Sequence, residues 1–183
     1  MNLPNKLTVL RMVMIPFFVF FMLMPSVPHH YLWAVVIFAA ASFTDMLDGK
    51  IARKYHLVTD FGKLMDPLAD KMLVNAALVC FTALGVVSPV VVIIILGREF
   101  LVTSIRQIAA ANGRVIAADL YGKVKTVFQM LSIIAAMILC DESILLAGKQ
   151  TVIDVLMWIT TALTVLSGAN YVVKNIEIFR DVK

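Results

Sequence analysis

At 183 residues the chain has room for one domain. With 61% hydrophobic and 15% charged residues and a mean hydropathy of +0.93, it is too apolar for a soluble core. The two cysteines, Cys80 and Cys140, lie in apolar runs without a CxxC partner, which excludes a disulfide scaffold and a redox motif. The net charge of +4 comes with no soluble basic segment, so it points to anionic lipid headgroups and away from nucleic acid. The reading is an all-α integral membrane protein, a single domain over residues 1–183. Its six transmembrane helices are expected near 5–24, 31–55, 66–85, 90–112, 120–140 and 151–176.

The first segment opens with the polar run MNLPNKLTVLR and lacks a small-x-small cleavage pattern, so it is expected to stay as a helix. Asn5, Thr8 and Arg11 recur every three residues and form a slanted polar stripe. Two readings are open: capping with interfacial snorkelling of Arg11, or a stripe facing a polar cavity. The turn MPSVPHH follows, and its adjacent His29 and His30 read as loop residues, not metal ligands. The second segment offers only residues 31–44 before Asp45, ~21 Å of helix at 1.5 Å per residue. A ~30 Å hydrocarbon core is longer than that, so either the helix is thin for the bilayer or its last turns, with Asp45 and Asp48, lie just within the membrane, which would put them at the interface.

From Asp45 the chain reads DMLDGKIARKYHLVTDFGKLMDPLAD, a charged stretch between apolar runs. Ionisable groups at such a boundary pair, face a cavity or bind ions. On a helix, Asp48, Gly49 and Ala52 fall within about 60° of Asp45, so two carboxylates share a face with two of the smallest side chains. Asp66 and Asp70 are one turn apart, with Asp66 expected as the N-cap and Pro67 as the first residue of the third helix. Four carboxylates at neighbouring helix ends repel unless cations hold them. Their oxygen-only chemistry suits two Mg²⁺ or Mn²⁺ ions.

The fourth segment carries Arg98 and Glu99 near its middle and Arg106 two turns on. An arginine there costs several kcal/mol unless it pairs or faces a cavity, so substrate binding and a structural pair with Glu99 are both open. Lys123, Lys125 and Thr126 begin the fifth segment; Asp141, Glu142 and Asp154 read as solvated charges on the outer side. All lysines and arginines except Lys149 fall on the side that holds the carboxylates and both chain ends. The positive-inside rule makes that side cytoplasmic.

Asp45, Asp48, Gly49, Ala52, Arg53, Gly62, Asp66 and Asp70 together form D-x2-D-G-x2-A-R-x8-G-x3-D-x3-D. This resembles the signature of the CDP-alcohol phosphotransferase family at all eight positions, a match expected by chance on the order of once in 10¹⁰ starting points. The Asn-x-x-Thr-x-x-Arg opening and the runs GREFLVTSIRQ and DLYGKVKT resemble its phosphatidylglycerophosphate synthase branch.

The resemblance implies the family fold with its site at the cytoplasmic interface of a bacterial plasma membrane, a homodimer, and CDP-diacylglycerol as donor. Asp45, Asp48, Asp66 and Asp70 would be metal ligands and Asp70 also the general base. Asn5, Thr8, Asp48, Gly49, Ala52, Arg53 and Gly62 would hold the donor. Arg98, Arg106, Lys123, Lys125 and Thr126 would hold the phosphate of sn-glycerol 3-phosphate, since such an acceptor needs a cationic pocket. Within the same chemistry the alternative acceptors are inositol phosphate, serine or phosphatidylglycerol. Outside it stand a divalent-cation carrier, which predicts acidic residues near midplane on several helices, and a non-catalytic scaffold, which predicts tolerance of Asp48→Asn.

Overall fold

A computed structural model describes the backbone of residues 2–54, 60–111, 113 and 120–176, with side chains there except at 3, 4, 45–54, 60–64, 66, 67, 70 and 111. It is all-helical over these residues: α1 (Leu3–Leu23), α2 (His30–Lys54), α3 (Asp60–Ala83), α4 (Pro89–Ala111), α5 (Leu120–Cys140) and α6 (Lys149–Lys174). Among the described residues, three stretches are long and apolar enough to cross a bilayer: Asn5–Leu23, Leu120–Cys140 and Lys149–Lys174. His30–Thr44 and Lys71–Ala83 are shorter apolar helices, extended by the charged turns that flank them. Large apolar side chains such as Phe17, Phe43, Ile93, Phe100, Leu131 and Leu166 lie exposed on the helix surfaces, as lipid-facing side chains do.

The chain divides into two compact units, Met1–Leu84 with Ile133–Lys149, and Gly85–Ser132 with Gln150–Lys183. In the first unit α1 packs on both α2 and α3. Phe18 and Phe38 meet with ring centroids 5.8 Å apart, a tilted contact of the kind aromatic quadrupoles favour. Pro16 lies inside α1, where it removes one backbone donor without ending the helix. The short connection after α1 makes α2 run antiparallel to it, with the left-handed His29 (φ 54°) at the junction. The His29 carbonyl accepts the amides of Leu32 and Trp33, and the His30 Nδ1–H donates to the Phe21 carbonyl at 2.9 Å.

The second histidine therefore starts a helix, one residue earlier than the sequence pattern indicates. A larger correction concerns α3. The expected start at Asp66 gives way to Asp60, so Asp66 is not an N-cap and Pro67 lies inside the helix. The run DFGK supplies the first turn, and a proline within a helix bordering a membrane is accommodated as Pro16 is. At its other end α3 stops where Gly85 takes φ 69°, a conformation that side chains bearing a Cβ disfavour.

In the second unit Val102, Ile105 and Ala109 of α4 form a buried cluster with Tyr171 of α6. The buried face of α6 is polar along much of its length: Thr160, Thr161, Thr164, Ser167 and Gly168 lie on it, between Met157 and Tyr171. Small residues on such a face let neighbouring backbones approach closely.

Candidate functional site

The first unit carries the carboxylate pattern. α2 remains helical through Asp45, Asp48, Gly49, Ala52 and Arg53, and α3 through Gly62, Asp66 and Asp70. The side chains of these eight residues lie outside the described ones. The up-down-up order of α1, α2 and α3 puts the first turns of α1, the last of α2 and the first of α3 at one end of the unit. At that end Asn5 is 8% exposed, and Thr8 and Arg11 are fully buried. Arg11 does not snorkel: a guanidinium without exposure is enclosed by the packed helices. Farther along the same helices an apolar groove of about 440 Å³ runs between α1 and α3, lined by Ile15, Val19, Met72, Asn75, Val79 and Cys80 among others.

The second unit carries the cations. Arg98 NH1 donates to Glu99 Oε1 at 3.1 Å, and Lys125 Nζ of α5 donates to the same oxygen. Arg98 NH2 donates to Ser167 Oγ of α6 at 2.6 Å. Lys125 is 2% exposed, and Gln129 and Ser132 continue its buried polar stripe along α5; Thr160 Oγ1 lies 3.1 Å from Ser132 Oγ. Arg98 Nε and Gln129 Nε2 are buried and have no acceptor among the described residues. Eight residues past Arg98, Arg106 donates from Nε to Tyr171 Oη at 3.2 Å and stands over the tyrosine ring. Lys123 and Thr126 face outward, with the Thr126 hydroxyl given to the Gly122 carbonyl of its own helix at 2.9 Å.

Of the five residues expected to bind the acceptor, Arg98 and Lys125 thus come together, Arg106 stands one α6 turn along, and Lys123 and Thr126 join neither. The pair Arg98–Glu99 left open by the sequence forms, but as part of a larger cluster. Sequence reasoning missed Ser167, Gly168 and Tyr171, although hydroxyl and glycine positions spaced by three and four in α6 carry the signal of a polar helix face. A Cβ on Gly168 would lie 2.9 Å from Arg98 Cγ, closer than real Cβ contacts come. The absence of a side chain there makes room for the arginine.

Asp141 is a further correction. It is 1% exposed rather than solvated: its Oδ1 accepts from the Ser143 hydroxyl at 2.6 Å, the Ser143 amide at 3.0 Å and His29 Nδ1 at 3.1 Å. The Ser143 hydroxyl foremost, with its amide and His29, holds the carboxyl at about 2, against the opposing effect of burial. Glu142 and Asp154 are exposed, and Asp154 accepts from Gln150 at 3.0 Å.

The model of the CDP-alcohol phosphatidyltransferase family matches residues 1–166. A CDP-diacylglycerol–glycerol-3-phosphate 3-phosphatidyltransferase of Bacillus subtilis strain 168 is 40% identical over 187 residues, with 96% of each chain covered. A protein of the same description from Rickettsia bellii is 35% identical, with 93% of each chain covered. A probable phosphatidylglycerophosphate synthase of Mycobacterium tuberculosis strain H37Rv is 38% identical, over 96% of this chain and 82% of its own.

Proposed function

The chain belongs to the CDP-alcohol phosphatidyltransferase family, and from that premise we propose how its own residues carry out the transfer. The enzyme moves a phosphatidyl group from CDP-diacylglycerol to sn-glycerol 3-phosphate, giving phosphatidylglycerol phosphate and CMP. The observation that carries this reading is the eight-position acidic pattern, held whole on two consecutive helices of one unit. The shared reaction of relatives at 35–40% identity supports it.

The acceptor hydroxyl attacks the phosphorus that bears diacylglycerol. A new P–O bond forms, the bond to the CMP phosphate breaks, and the hydroxyl proton passes to Asp70. Asp45 and Asp48 on α2, and Asp66 and Asp70 on α3, are pairs about one helical turn apart with only oxygen donors, a set that fits two Mg²⁺ or Mn²⁺ ions. Bound there, the ions neutralise pyrophosphate charge and stabilise the departing phosphate.

Gly49, Ala52 and Gly62 leave space for the nucleotide, and Arg53, Asn5 and Thr8 bind the donor. Arg98, Lys125 and Arg106 hold the acceptor phosphate, because fixed guanidinium and ammonium groups bind phosphate through charge-assisted hydrogen bonds. Lys123 and Thr126 contribute at the rim. The groove beside α1 and α3 suits the donor's acyl chains. All six helices span the plasma membrane, the carboxylates and both ends face the cytoplasm, and the enzyme works as a homodimer.

The test is CMP release by purified protein in lipid, with glycerol 3-phosphate, serine, inositol phosphate or phosphatidylglycerol offered singly. Release is expected with glycerol 3-phosphate alone, removed by chelator and lowered at least about 10³-fold by Asp70→Asn. Release with another alcohol only would move the acceptor assignment. Cation flux into liposomes without CMP release would favour the carrier reading.

A further inference from the structure

We propose that Glu99 is a positioning residue: its carboxylate fixes Arg98 and Lys125 as a pair at the spacing an acceptor phosphate requires. This rests on the proposed role of those two cations and adds a residue that the acidic motif does not contain. Glu99 is flanked by Arg98 in its own helix, yet it also draws Lys125 from α5 to the same Oε1 oxygen. One carboxylate oxygen therefore meets two cations from two helices in a largely buried setting: Lys125 is 2% exposed, with the Arg98 and Glu99 side chains at 11% and 20%.

The surroundings of Arg98 point the same way. Its NH1 is fixed by Glu99 and its NH2 by Ser167 across the helix interface, while Nε stays buried without an acceptor among the described residues. Gly168 leaves room for the arginine stem, and a Cβ on Gly122 would stand 3.7 Å from NH2. A guanidinium anchored at two nitrogens, with a third donor unmet, is prepared for an incoming oxyanion. Glu99 cannot attract a phosphate dianion itself. Its contribution is to offset the mutual repulsion of Arg98 and Lys125 before the acceptor arrives, so that both are in place when it does.

The experiment uses the full chain in lipid and measures kcat and both KM values for Glu99→Gln and Glu99→Ala. Gln keeps an acceptor oxygen but loses the charge; Ala loses both. The expected result is a KM for glycerol 3-phosphate raised about tenfold in Gln and about a hundredfold in Ala, with the KM for CDP-diacylglycerol within about twofold. The rise in melting temperature that glycerol 3-phosphate gives the wild type should shrink in Glu99→Gln. In a double-mutant cycle, Lys125→Met should add less to the KM in the Glu99→Gln background than it does alone.

An unchanged KM for glycerol 3-phosphate in Glu99→Gln, an additive cycle, or an equal rise in both KM values overturns the proposal. If Glu99→Ala does not fold, the Gln variant decides. If neither folds while the wild type is active, Glu99 is structural and the proposal fails. A wild type inactive with glycerol 3-phosphate would instead overturn the acceptor assignment beneath it.

Discussion

Gly168 shows how much a missing side chain can determine. A methyl group there would press on Arg98 Cγ, near the arginine's root where the chain cannot swing away. Gly168→Ala is therefore expected to destabilise the protein by about 1–3 kcal/mol through overpacking, read as a lower melting temperature. It should also raise the KM for glycerol 3-phosphate, since Arg98 would have to move. Asp141 makes a different prediction. Its carboxyl is held at about 2, below the ordinary 3.8, so its ionised form stabilises the fold fully above pH 4 and progressively less as the pH falls toward 2. Melting of wild type and Asp141→Asn should differ at pH 5 and converge near pH 2; a constant gap would show that the charge is not responsible. Neither residue stands out in the sequence. The partners that bury Asp141 are two and 112 positions away, and a carboxylate following an apolar helix looks the same in a chain whether it is clasped or solvated.

Helices were more legible than their contents. Apolar length and the Pro and Gly punctuation located the six described helices, because long apolar runs bounded by such breakers have few other options. The start of α3 was misplaced because Pro67 carries the same residue-level signal at a first turn and within a helix interior. The polar stripe of α1 shows where pattern stops: spacing put Asn5, Thr8 and Arg11 on one side, but only packing against α2 and α3 decided that the side is buried. The cation cluster was half legible for a related reason. Arg98 and Lys125 are conspicuous in apolar helices, whereas Ser167 and Tyr171 become partners only once α4 and α6 lie together.

For the whole molecule, the distribution of lysine and arginine is the strongest orientation signal: under the proposed six-span topology Lys149 alone is opposed to the rest. With Cys80 and Cys140 replaced by alanine, a single cysteine at Glu142 should react with an impermeant maleimide from outside intact cells. One at Lys183 should react only after permeabilisation; the reverse pattern would invert the assigned orientation.

The cluster around Arg98 also constrains how the protein is made. α4 carries Arg98, Glu99 and Arg106 and is not among the described helices apolar enough to cross a bilayer by composition. Among the described residues, the partners that other helices offer its charges, Lys125, Ser167 and Tyr171, are all synthesised after it. If α4 spans the membrane as proposed, it is expected to wait, at the membrane surface or beside the insertion machinery, until α5 and α6 have left the ribosome. Its entry into lipid would then be a joint event of three helices rather than a step in a one-by-one sequence.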